Sequence, residues 1–94
     1  MLRMARQLNM QVFDAELDFH EFGIIDHADI EKILFEFIED SHYYDKKNLL
    51  VITGKGNVVR PLVKKLLAQN PLVKKFKQAG YFSGQEGAFE VELY

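Results

Sequence analysis

The amino-acid sequence predicts an α/β protein, a two-layer sandwich of two helices and a four-stranded mixed sheet in the order βαβαββ. Three observations lead there. The run Leu49-Leu50-Val51-Ile52 is apolar without alternation, the pattern of a strand covered on both faces. It lies between two stretches of helical spacing, with Ile30, Ile33, Leu34, Phe37 and Ile38 before it and Val59, Leu62, Val63, Leu66 and Leu67 after it. The chain then ends in an alternating segment, Phe89, Val91 and Leu93 against Glu90 and Glu92, as in a strand buried on one side. The 94 residues suffice for one core, not two.

Residues 1–14 follow neither the helical nor the strand period and are read as an N-terminal arm preceding a domain over residues 15–94. The first strand is expected over Ala15 to His20, with Leu17 and Phe19 on one face and Asp18 and His20 on the other. Gly23 supplies the turn that ends it. Asp26 and Asp29 stand at capping-box spacing, which opens a first helix from His27 to Tyr43. Tyr44 to Lys47 form a loop, and the central strand runs from Asn48 to Thr53. Strand, helix and strand make a right-handed βαβ unit, so the carboxyl ends of both strands meet at one edge of the sheet. Asn57 is placed to cap the second helix, Pro61 falls in its first turn, Arg60, Lys64 and Lys65 are expected to face water, and Asn70-Pro71 stops it. Leu72 to Gln78 and Ala88 to Tyr94 form an antiparallel pair around a loop over Gly80 to Gly87.

Composition narrows the function classes. Apolar residues make up 48% of the chain, too many for a disordered protein. No cysteine is present, which removes disulfides, zinc-thiolate sites and cysteine nucleophiles together. Neither a signal peptide nor an apolar run of membrane-spanning length is present, so a soluble, cytoplasmic protein is expected. The net charge of −2 is unevenly distributed. Residues 1–47 hold five Lys/Arg against eleven Asp/Glu, a net of −6, and residues 48–94 hold seven against three, a net of +4. All seven bases lie between Lys55 and Lys77, with no acid among them. Such a segment can bind phosphates, although a charge run alone more often marks a solvated surface.

Two short motifs carry chemistry. Asp18 and His20 share a strand face, where a carboxylate can orient an imidazole for proton transfer. A spacing of two is common, and by itself favours the plain polar face of an edge strand. Thr53-Gly54-Lys55-Gly56-Asn57 joins a buried strand to a helix. Glycines allow close approach of a ligand to the backbone, and the helix start favours an anion. It is not a P-loop, because the six-residue frame is missing. An anion site and a tight turn with a solvated lysine weigh evenly there.

Together the motifs are more specific. The succession Leu17-Asp18-Phe19-His20, helix, apolar strand, Gly54-Lys55-Gly56, helix, Asn70-Pro71-Leu72-Val73 and a final Phe89-Glu90-Val91-Glu92-Leu93 strand resembles the Smr domain. That family is named for small MutS-related proteins and the C-terminal domain of MutS2. The resemblance runs from about Glu16 to Leu93. It implies a sandwich like the C-terminal domain of translation initiation factor 3, nucleic-acid binding and, in many members, endonuclease activity on DNA or RNA. Several members act on mRNA at stalled or collided ribosomes, so ribosome quality control is an expected setting.

Carried over residue by residue, the resemblance implies catalytic roles for Asp18, His20 and Lys55. It places the nucleic acid on Gly54, Lys55, Gly56, Asn57, Arg60 and Lys64. The sequence departs from the family pattern twice: Glu21 stands for the usual glycine, and Thr53 for the loop histidine. A positioned acid or base contributes roughly 10²–10⁴-fold in rate, so Thr53 bears directly on turnover.

The remaining candidates carry less. His27 and His42 read as surface residues at the two ends of the first helix. Tyr81 and Phe82 have the chemistry to stack on bases, although core packing is the commoner role. Lys65, Lys74, Lys75 and Lys77 extend the possible phosphate contacts. No metal site is expected, since Asp18 and His20 are too few ligands, and no cofactor is required, although a divalent cation such as magnesium is compatible.

Three readings follow. The first is an endonuclease acting on RNA rather than DNA, as a monomer and without membrane contact. The second is a non-catalytic nucleic-acid or ribosome-binding module. The third is a protein-interaction domain that uses the acidic first helix.

Overall fold

The computed structural model describes residues 13–23, 25–80 and 87–94. Strand β1 (Ala15–Asp18) leads into a 3-10 turn (Phe19–Phe22), helix α1 (His27–Tyr43) and strand β2 (Asn48–Ile52). Helix α2 (Val59–Gln69), strand β3 (Val73–Gln78) and strand β4 (Ala88–Leu93) complete the chain. The sheet order is β1-β2-β4-β3. β2 pairs in parallel with β1, and β4 pairs antiparallel with both β2 and β3. The βαβαββ order and the mixed four-stranded sheet are those predicted.

The helix-facing side of the sheet holds the main core. Leu17, Leu49, Val51, Phe89, Val91 and Leu93 meet Ile30, Leu34 and Ile38 of α1 and Val63 and Leu67 of α2. Ile30, Ile38, Leu49, Val51 and Val63 are fully buried, and burying each such side chain contributes about 1.5–3 kcal/mol. The opposite side carries a second cluster, Leu50, Ala79 and Ala88, with Phe13 and Ile52 packed on it. β2 is thus apolar on both faces, which is why its sequence does not alternate.

The two helices begin differently. α1 has the predicted capping box: the Asp26 carboxylate accepts from the Asp29 N–H at 2.9 Å, and the Asp29 carboxylate lies 3.4 Å from the Asp26 N–H. Two acidic side chains therefore occupy the positive end of that helix. The N-cap position of α2 is Val58, which offers no side-chain cap, and the first turn of α2 holds no acid. Asn57, expected to cap α2, is instead an exposed loop residue one position too early. Pro61 lies in the first turn, where its missing N–H breaks no helical hydrogen bond.

The first strand is shorter than expected. It ends at Asp18, so His20 does not share a strand face with it. The Asp18 side chain caps the turn instead, and Gly23 ends that turn at φ 71°. β3 begins at Val73, one residue later than predicted. Residues 1–12 of the predicted arm over residues 1–14, and the loop residues Tyr81 and Phe82, lie outside the described residues.

Candidate functional site

Strand register assembles the site. Asp18 pairs with Ile52 across the parallel ladder, and Ile52 pairs with Ala88 across the antiparallel one. The chain that leaves β1, the chain that leaves β2 and the residue that enters β4 therefore meet in one row. This is the carboxyl edge of the parallel pair, where open α/β sheets place ligands.

The segment after β1 is held by its own side chain. One oxygen of Asp18, Oδ1, accepts the backbone N–H of His20 at 2.9 Å and faces the ring Nδ1 at the same distance. A carboxylate oxygen accepts only, so Nδ1 carries the proton and Nε2 is left to accept one. A strand would have spaced the two residues about 7 Å along one face, and the 3-10 turn instead brings their side chains into direct contact. The His20 side chain is 64% exposed and that of Asp18 27%. The imidazole is therefore oriented by a partly covered carboxylate on a side chain that remains largely exposed.

The segment after β2 lies directly beneath that ring. Gly54 adopts φ 78°, a conformation that side chains rarely allow. A Cβ at Gly54 would stand 2.7 Å from His20 Nε2. Only glycine lets the imidazole settle against this loop, so the sequence Gly54-Lys55-Gly56 and the position of His20 are one feature. Lys55, Gly56 and Asn57 are exposed, and the uncapped, acid-free start of α2 follows them.

One expectation about this loop needs correction. The Gly54 N–H does not point to solvent: it donates to the Gly87 carbonyl at 2.9 Å, beside the Thr53 N–H, which donates to the same oxygen at 2.8 Å. It is not a free phosphate donor. Thr53 is buried, and its hydroxyl donates to the Gly54 carbonyl at 2.8 Å, with the Gly87 carbonyl at 3.4 Å. The residue at the family's loop-histidine position thus braces the turn and presents no proton-transfer group.

The basic residues are also arranged differently from the sequence reading. Arg60 does not face water. It is half-buried, with its guanidinium carbon 5.6 Å from the Phe89 ring centroid and Nη2 3.5 Å from Gln78 Oε1. Its charge helps to join α2 to the sheet. Lys64 and Lys65 are exposed on α2. Lys75 and Lys77 pair in register with Glu92 and Glu90 on the face of the sheet away from the helices. Lys74 and Lys75 reach Glu92 at 3.6 Å each. The seven bases thus divide between two faces, and the Lys74–Lys77 set is partly neutralised.

Gly87 is the residue that the sequence did not single out. Nothing local marks it, because it acts on Thr53 and Gly54 through the pairing of β2 with β4. Among the described residues, no group of three or more His, Asp or Glu side chains converges as a metal site would require.

Comparison with known proteins bears on the fold and the family. A family model described as the Smr domain matches residues 17–94. Proteins named Endonuclease MutS2 from Caldicellulosiruptor saccharolyticus and Caldicellulosiruptor bescii are each 32% identical over 59 residues, which is 62% of this chain. The match spans only 8% of the length of those relatives. Among solved structures, the Smr domain of Thermus thermophilus MutS2 superposes with a TM-score of 0.71 at 20% identity, covering 84% of this chain and 94% of that one. YdaL, a stand-alone small MutS-related protein from Escherichia coli, superposes with a TM-score of 0.73 at 27% identity, covering 83% and 63%. With the family model matched over most of its length, the chain belongs to the Smr domain family.

Proposed function

We propose that this domain is a nucleic-acid-binding endonuclease that cleaves RNA. One observation carries the reading: an imidazole, oriented through Nδ1 by Asp18, rests its Nε2 against Gly54 of the glycine-lysine loop that opens α2. A proton-transfer group and an anion-favouring helix start thus share one edge of the sheet.

The division of labour follows from the contacts. His20 Nε2 takes the proton from a substrate 2′-hydroxyl. The 2′-oxygen attacks the adjacent phosphorus, the bond to the 5′-oxygen breaks, and water protonates the leaving oxygen. The products are a 2′,3′-cyclic phosphate and a 5′-hydroxyl. Lys55 stabilises the negative charge on the phosphate, helped by the positive dipole end of α2. Gly54 gives the imidazole its place. Gly56 and Asn57 form the exposed remainder of the loop, and Lys64 continues the phosphate contacts along α2. Arg60 supports this surface by fixing α2 to Phe89.

Messenger RNA on stalled or collided ribosomes, in the cytoplasm, is the setting that the family resemblance favours. The relatives named as endonucleases are far longer than this chain, and their activity is carried here as a proposal.

The test is incubation of labelled RNA and DNA with the protein, with and without magnesium, beside His20→Ala and Lys55→Ala. Cleavage of RNA falls by roughly 10²–10⁴-fold in His20→Ala, and Lys55→Ala weakens binding and flattens its salt dependence. Equal cleavage by the wild type and His20→Ala removes His20 from the chemistry.

The buried Thr53 hydroxyl favours a second reading, a binding module without turnover, because no second proton-transfer group stands at the loop. It predicts salt-dependent RNA binding that Lys55→Ala weakens, and no cleavage under any metal condition.

A further inference from the structure

The turn that carries His20 also carries an exposed aromatic ring with no part in proton transfer. Phe19 and Phe22 are the first and last residues of the 3-10 turn. Residues three apart eclipse one another in this geometry, and the two rings lie 6.3 Å apart at an interplanar angle of 50°. Phe19 is 3% exposed and belongs to the main core. Phe22, above it, is 44% exposed.

The turn is closed at both ends, by the Asp18 carboxylate at its start and by Gly23 with φ 71° at its end. Phe22 is thus an apolar ring on a short, capped turn, supported from below by a buried ring and two residues from the imidazole. Aromatic faces exposed beside a phosphate-handling site stack on unpaired bases, whereas the bases of a duplex are already stacked on each other.

We propose that Phe22 is a base-stacking platform and that the site therefore selects single-stranded or unpaired nucleotides beside the scissile phosphate. This rests on the reading of the domain as a nucleic-acid enzyme and names the substrate form it takes. Phe22 holds a base, Lys55 and the start of α2 hold the phosphate, and His20, two residues before Phe22 on the same turn, takes the proton.

The test is fluorescence-anisotropy binding of the wild type, Phe22→Ala, Phe22→Leu and Phe22→Trp to a labelled 2′-O-methyl RNA single strand, which has no free 2′-hydroxyl to attack, and to the same sequence as a duplex. Thermal melting of each variant is recorded alongside. Phe22→Ala and Phe22→Leu lose about 5- to 100-fold in single-strand affinity, the effect of one lost stacking contact, while Phe22→Trp retains it and the weaker duplex binding changes little. Wild-type affinity in Phe22→Leu overturns the proposal, because leucine keeps the apolar cover over Phe19 without a stacking face. Equal losses on single strand and duplex also overturn it. A wild type that binds no nucleic acid defeats the functional reading as a whole, whereas single-strand binding without cleavage defeats only the nuclease and leaves the platform standing.

Discussion

The two parallel strands end in turns of opposite construction. After β1 the chain is held by its own neighbour, with Asp18 Oδ1 accepting the His20 N–H and facing its ring. After β2 it is held from elsewhere, with the Gly87 carbonyl accepting both the Thr53 and the Gly54 N–H. The first turn presents side-chain chemistry to solvent. The second presents backbone, and its one reactive-looking hydroxyl is turned inward. The two meet where the His20 ring rests on Gly54. A locally braced imidazole thus stands on a platform that exists only once β4 is in place.

The largest break in this arrangement is expected from Gly54→Ala, which strikes both turns. A left-handed residue with a Cβ costs roughly 1–2 kcal/mol, and the new methyl group would displace the imidazole that lies 2.7 Å from it. The melting temperature drops by several degrees, at about 4–8 °C per kcal/mol for a domain of this size. RNA cleavage falls toward the level of His20→Ala. Unchanged cleavage would show that His20 acts from a position independent of the loop.

Asp18→Asn probes the first turn alone. Asparagine remains a good cap, so melting stays close to wild type. The hydrogen bond to Nδ1 loses its charge assistance, a difference on the order of 1 kcal/mol, and cleavage slows about tenfold. A full loss of activity with unchanged melting would point to a direct role for the carboxylate at the substrate. Thr53→Val probes the second turn alone and has the smallest effect. It removes a neutral hydrogen bond worth about 1 kcal/mol, lowers the melting temperature by a few degrees and leaves the cleavage rate where it was. A drop in rate would make the Thr53 hydroxyl a participant.

The same contrast explains what the sequence made legible. The elements followed from apolar spacing, and α1 matched its predicted bounds because its stripe and its capping box are local. The Asp18–His20 pairing was visible as a spacing of two, although its geometry was mistaken: a capped turn, not a strand, brings the groups together. The loop's anchoring to Gly87 was invisible, since it depends on β4 pairing with β2 more than thirty residues away in sequence. Arg60 was misjudged for a like reason, because the Phe89 ring beneath it comes from another element. The run of bases from Lys55 to Lys77 looked like one footprint, but it spans a helix and a strand whose exposed sides face opposite ways.

The lysines of β3 have a further consequence for how the domain sits among its own kind. β1 and β3 are the outer strands of the sheet, and an outer strand with free backbone groups invites another chain to pair with it. β1 limits that invitation by its length of four residues. β3 limits it with Lys74, Lys75 and Lys77, positive charges that repel a second copy of the same strand while Glu92 steadies two of them in place. A basic outer strand therefore disfavours edge-to-edge pairing between copies of the domain.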